Sequence, residues 1–226
     1  MRQKNKTPLR LAKSTCAIVG DGDCEAWYIQ MLKRNEPLTH VDLKPEFPQK
    51  KALSELYEQV IELSNDYDEV YWLVDMDVIL KETKEAKAGE KTRLQEFEEY
   101  CEKIEKINEE YKKKYAVDND LIKIIINNPG FEYWLLLHFK NTTKYYTSCD
   151  EVIKEFKSYQ EISDYKKSRK YYTKQDNDIY KRLKPYLKDA VTNSKKTGEF
   201  DFSNPERGLS QMHLLFESDN LKHLIE

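Results

Sequence analysis

Glu69-Val70-Tyr71-Trp72-Leu73-Val74-Asp75-Met76-Asp77 is the stretch on which the reading of this chain turns. After its first residue the run is apolar and rich in β-branched and aromatic side chains, then it stops abruptly in two carboxylates. A strand buried on both faces reads this way, as the central strands of a parallel sheet do. Ile18-Val19-Gly20-Asp21-Gly22-Asp23-Cys24-Glu25 repeats the pattern after Thr15-Cys16-Ala17, with an acidic, glycine-flanked turn and then a helix marked by Trp27, Met31 and Leu32. Glu25 falls in the first turn of that helix, where the positive end of the dipole favours an acid. Both segments place carboxylates at the carboxyl edge of a sheet, where α/β proteins build their sites. If the extended conformation persists through Met76, Asp75 and Asp77 point to the same side.

The elements between these stretches alternate. Thr39 to Phe47 gives an edge-like strand bounded by Pro45 and Pro48, and Leu53, Leu56, Tyr57, Val60 and Ile61 mark an amphipathic helix. Residues 80 to 91 are polar and read as a loop beside the site. Thr92-Arg93-Leu94-Gln95 has the form of a capping box opening a long helix with Leu94, Phe97, Cys101, Ile104 and Tyr111 on one stripe. Leu121 to Asn127 is a further core strand, followed by Asn128-Pro129-Gly130 and a helix from about Phe131. Strands alternating with helices of this length specify βαβ units and a mostly parallel sheet. Strand signals stop after about Asn141, and helices are expected near 149 to 160, 176 to 194 and 207 to 217. The expected organisation is a basic N-terminal arm over 1–13, an α/β core over 14–140 and a helical C-terminal region over 141–226.

The chain has 226 residues, 39% of them hydrophobic and 35% charged, with sixteen tyrosines and a net charge of −3. That composition supports a folded core and excludes a disordered polyelectrolyte. Arg2, Lys4, Lys6, Arg10 and Lys13 all precede the first acid, so a near-neutral total does not exclude a nucleic-acid partner. No apolar run reaches the length of a membrane span and no signal-peptide core is present, so a cytoplasmic protein is expected. Cys16, Cys24, Cys101 and Cys149 lack zinc-ligand spacing and read as reduced and mostly buried.

Asp21, Asp75 and Asp77, with Glu25 one helical turn from Asp21, are hard oxygen donors crowded enough to need a cation, and Mg²⁺ or Mn²⁺ suits them. The plainer alternative makes Asp21 a turn residue, Glu25 a dipole-favoured surface acid and Asp75 and Asp77 a helix cap. Tyr165-Lys166-Lys167-Ser168-Arg169-Lys170-Tyr171-Tyr172-Thr173-Lys174 interleaves cations and aromatics, which suits DNA or RNA phosphates and unstacked bases, or else a solvated loop. His138, within an apolar helix, reads as a packed histidine rather than a base.

The acidic turn and the D-x-D resemble a Toprim domain. More narrowly, those segments with Asn128-Pro129-Gly130-Phe131-Glu132-Tyr133-Trp134-Leu135-Leu136-Leu137-His138-Phe139, Tyr172-Thr173-Lys174 and Asn204-Pro205 resemble the RloB-like family of Toprim-like proteins encoded near bacterial restriction and abortive-infection loci. The first Toprim acid is normally glutamate; Asp21 stands there, about one C–C bond shorter. The resemblance implies a Toprim-like, mostly parallel sheet flanked by helices and a Mg²⁺-dependent nuclease serving antiphage defence. Asp21, Glu25, Asp75, Asp77 and Glu132 become metal-site candidates. Asp21 would complete the site or act as general base, and Lys174 would reach the scissile phosphate, with Lys166, Lys167, Arg169, Lys170 and Tyr172 along the strand. A partner protein from the same locus and a homodimer are both compatible with it. So is a catalytically weak module that binds nucleic acid or a partner as sensor or scaffold, a reading the Asp21 departure favours.

Overall fold

The computed structural model describes residues 14–20, 22–44 and 51–226; the basic arm over 1–13 and Asp21 lie outside the described residues. In chain order the elements are β1 (Cys16–Val19), α1 (Asp23–Asn35), β2 (Val41–Lys44), α2 (Leu53–Leu63), β3 (Glu69–Asp75), α3 (Met76–Glu85), α4 (Arg93–Tyr115), β4 (Ile122–Asn128) and α5 (Phe131–Leu137). The C-terminal region adds α6 (Cys149–Phe156), α7 (Arg169–Tyr172), α8 (Ile179–Leu183), α9 (Leu187–Thr197), β5 (Leu209–Ser210) and α10 (His213–Phe216). The sheet runs β2-β1-β3-β4-β5; its first four strands are parallel and β5 is antiparallel to β4. The protein is a mixed α/β fold with a mostly parallel sheet flanked by helices and a helical C-terminal region.

The apolar run in β3 serves two cores at once, because successive strand side chains face opposite ways. Tyr71 and Leu73 join Cys16, Ile18 and Ile125 beneath α1, α5 and the C-terminal helices. Val70, Trp72 and Val74 join Val19, Ile122 and Ile126 beneath α2, α3 and α4. Each buried aliphatic side chain contributes about 1.5–3 kcal/mol of transfer free energy, so a strand filling both layers anchors the fold.

Three local features differ from expectation. The region expected as a loop over 80–91 is helical as far as Glu85, since Ile79 and Leu80 are buried in the second core and the Leu94 N–H donates to Thr83 Oγ1 at 2.9 Å. The helix expected over 176–194 is broken by a 3₁₀ turn at Lys184–Tyr186, where Pro185 cannot donate a backbone hydrogen bond. The two-residue β5 lies where only helix was expected; a pair that short has no periodicity to read. The capping box at Thr92 forms as expected, with Gln95 N–H donating to Thr92 Oγ1 and Thr92 N–H to Gln95 Oε1. Among the described residues no helix is long and apolar enough to cross a membrane, and the four cysteines are free thiols.

Beyond the short β5, side-chain amides replace a neighbouring strand along β4. Asn108 Nδ2 donates to the Ile122 carbonyl at 2.8 Å, and the Ile122 N–H donates to Asn108 Oδ1 at 2.9 Å. The Ile126 N–H is met by Gln211 Oε1 at 3.1 Å. A backbone edge so satisfied offers little to an incoming strand. Asn108→Leu should leave both Ile122 groups unmet and cost about 2–3 kcal/mol in urea unfolding; a loss below about 0.5 kcal/mol would show that water replaces the amide freely.

Candidate metal and phosphate site

The sheet reverses its winding between β1 and β3: β2 lies on one side of β1 and β3 on the other. The crevice beyond the carboxyl ends of such a pair is where doubly wound proteins bind ligands. Three helices begin there, each with an acid in its first turn: Glu25 in α1, Asp77 in α3 and Glu132 in α5. Helix N-termini favour negative charge, which offsets part of the cost of holding these acids together.

Asp75 is the last residue of β3 and the N-cap residue of α3, yet its side chain accepts no capping hydrogen bond. Its Oδ1 is buried without a partner. Burial first, and then the charges of Glu25, Glu132 and Asp77, hold its pKa well above the usual carboxylate range. A purely structural cap would use that oxygen; this one leaves it unmet. The chain turns helical at Met76 rather than staying extended, so Asp77 is not the alternate residue of a strand. Its backbone N–H donates to the Pro129 carbonyl at 2.8 Å, and its Oδ2 accepts from the Cys149 thiol at 3.6 Å. Both aspartates nevertheless line one cleft.

Glycines make the room. A Cβ at Gly22 would land on the Glu25 carboxylate, and one at Gly130 would lie 2.7 Å from Cys149 Sγ and 2.8 Å from Asp75 Oδ2. Gly22 of the acidic turn and Gly130 of Asn128-Pro129-Gly130 are therefore spacers for the acids beside them.

Glu132 is fully buried. Lys167 Nζ lies 3.1 Å from its Oε1 and the Tyr165 hydroxyl donates to the same oxygen at 3.2 Å, while Oε2 is buried without a partner. Burial would depress the Lys167 ammonium, but the Glu132 carboxylate outweighs it and raises its pKa. Burial, reinforced by Glu132, pushes the Cys24 thiol up to about 12 and the Cys149 thiol higher still, so both stay protonated near neutrality.

Glu25, Asp75, Asp77 and Lys167 line a cavity of about 620 Å³, and Glu132 lies behind Lys167. Among the described residues no three His, Cys, Asp or Glu side chains are already closed into a metal-holding group. The donors are hard oxygens, with buried lone pairs unmet on Asp75 and Glu132, which fits Mg²⁺ or Mn²⁺ rather than a softer ion.

The basic-aromatic segment divides. Lys166, Arg169, Lys170 and Lys174 are exposed, but Lys174 is not among the cleft-lining residues; Lys167 is the cation of this segment that reaches them. Tyr172 has no face for a base. It is fully buried against α1, its ring 5.5 Å from that of Trp27 and its hydroxyl 2.7 Å from that of Tyr165. His138 packs as expected, with Nδ1 3.0 Å from the Trp134 carbonyl oxygen and its pKa lowered to about 4 by burial. Cys149 and Tyr165 were not singled out as site residues from sequence; each is far along the chain from the acids it touches, and only the fold brings them together.

A family model described as RloB-like protein matches residues 16–218. The chain belongs to the RloB-like family. The match runs from β1 past α10, so it takes in the acidic edge and the C-terminal segment that carries Lys167. No curated protein and no solved structure matches.

A group whose folded pKa lies above its unfolded value lowers stability once it ionises, so the strain at Asp75 is absent well below pH 4 and grows as pH rises through the interval above that value. Asp75→Asn should accordingly stabilise the metal-free RloB-like protein by about 1–2 kcal/mol at pH 7 and leave it unchanged near pH 3.5. Urea unfolding in chelator at the two pH values checks this; equal stabilities at pH 7 would contradict it.

Proposed function

We propose that this RloB-like protein is a Toprim-type, Mg²⁺- or Mn²⁺-dependent nuclease that hydrolyses DNA or RNA phosphodiesters. The observation that carries the reading is Asp75: a carboxylate with an unmet buried oxygen, surrounded by Glu25, Asp77 and Glu132 and opening into a cleft beside a lysine. Asp75 and Asp77, with Glu25, would hold the ion. When bound, a divalent cation polarises a phosphate and lowers the pKa of its bound water. The role assigned to Asp21, completing the site or acting as general base, rests on its place in the acidic turn.

The chain's own groups supply the rest. Lys167, about half exposed above Glu132, presents an ammonium at the rim where a phosphate would enter. The Glu132 carboxylate and the Tyr165 hydroxyl fix where that ammonium sits, so its charge is positioned before substrate arrives. Lys166, Arg169 and Lys170 follow on the same exposed segment and can accompany the strand. A role in bacterial antiphage defence is supported by the family resemblance alone.

One observation favours a module that binds nucleic acid or a partner protein without cutting: no three described ligands are preassembled. Calorimetric titration of Mn²⁺ and Mg²⁺, with parallel cleavage of mixed DNA and RNA, separates the two. The nuclease reading expects metal binding and cleavage to be lost together in Asp75→Ala/Asp77→Ala. Lys167→Met should keep the metal and cut about 10²–10³-fold more slowly. No metal binding at millimolar concentration would leave the binding-module reading in place.

A further inference from the structure

Lys167 stands between Glu132 and the cleft. The lysine lines the cavity and Glu132 does not, although Glu132 lies close enough to Asp75 for its charge to raise the pKa of that carboxyl. The Glu132 side chain has no exposed surface, whereas 54% of the Lys167 side chain is exposed. A carboxylate buried this far requires a cation or several hydrogen bonds. Here the Lys167 ammonium at 3.1 Å and the Tyr165 hydroxyl share Oε1, and Oε2 is buried with no partner. Lys167 belongs to the irregular stretch between the 3₁₀ turn at Gln160–Ile162 and α7. Tyr165, two residues before it, is buried among Phe156, Tyr171 and Tyr172 and anchors that stretch, so the long lysine side chain can turn outward about a fixed backbone.

Withdrawing the ammonium alone would leave a buried charge unpaired, which is strongly destabilising, so a second cation has to take its place. A phosphate at the rim draws the lysine outward. A divalent ion is a cation whose other oxygen donors, Asp75 and Asp77, already line the same cleft. Every charge keeps a partner through the exchange: the ammonium passes to the phosphate and Glu132 to the metal. From this we infer that Lys167 is a latch on Glu132, occupying the carboxylate in the free protein and yielding it to the metal as a further ligand when a nucleic-acid phosphate binds. Metal and strand then each tighten the other by the same factor. The latch also accounts for the absence of three preassembled ligands among the described residues, since one of them stays covered until substrate arrives. The inference rests on the proposed nuclease reading for the metal at Asp75 and Asp77; the cover that Lys167 makes over Glu132 stands on the geometry alone.

The test titrates Mn²⁺ by calorimetry into the wild type and into Glu132→Gln/Lys167→Met, with and without single-stranded DNA and RNA oligonucleotides whose phosphorothioate linkages slow cleavage. The double variant removes both charges of the pair, so it has the net charge of the wild type and buries no unpaired carboxylate. Without oligonucleotide the two proteins should bind Mn²⁺ equally, because Glu132 is covered in one and absent from the other. With oligonucleotide the wild type should gain about tenfold more in Mn²⁺ affinity than the double variant, which keeps only what a phosphate touching the ion contributes. Lys167→Met alone, with Glu132 uncovered from the start, should bind Mn²⁺ about tenfold more tightly than the wild type without oligonucleotide. Equal gains in the wild type and the double variant overturn the latch and leave the nuclease reading standing. Weaker Mn²⁺ binding by the double variant without oligonucleotide does the same, since Glu132 would then already hold the ion. No Mn²⁺ binding by any of the three proteins, with or without oligonucleotide, overturns the nuclease reading and the latch together.

Discussion

Carboxylates brought together at the end of a sheet repel one another, and the architecture of this protein is shaped by that repulsion. Asp75 cannot move away, because it terminates the strand that fills both cores. The fold meets the charge with the N-termini of α1, α3 and α5 and with one lysine, and still leaves a buried oxygen of Asp75 unmet. Partial compensation of this kind is what the proposed metal site requires, an acid held ready at a cost in stability.

The C-terminal helical region participates in the same balance. It covers the face of the sheet that carries Tyr71 and Leu73, and from it Tyr165 and Lys167 reach Glu132 in the first turn of α5. Tyr165 is packed by Phe156, Tyr171 and Tyr172, so the hydroxyl that meets Glu132 is carried by a rigid aromatic cluster. Through this contact the helical region completes the electrostatics of an edge whose acids all come from the first 132 residues.

Much of this was legible in the residues because it depends on local pattern. The apolar runs ending in acids marked β1 and β3, the alternation of elements gave a parallel sheet, and Thr92 with Gln95 marked the start of α4. What the residues did not reveal depends on distance along the chain. Lys167 and Lys174 look alike in sequence, and only the fold sets one at the cleft and the other away from it. Tyr172 reads as a stacking platform until α7 turns it inward against Trp27.

Anomalous diffraction from crystals grown with Mn²⁺ near pH 7 tests the central claim most directly, since it locates the ion without depending on substrate or activator. The expected result is a manganese peak at the carboxyl edge of β3 with oxygen ligands from Asp75 and Asp77. Well-ordered Asp75 and Asp77 side chains with no peak beside them, in crystals saturated with Mn²⁺, would contradict the account and make the acidic edge a structural feature.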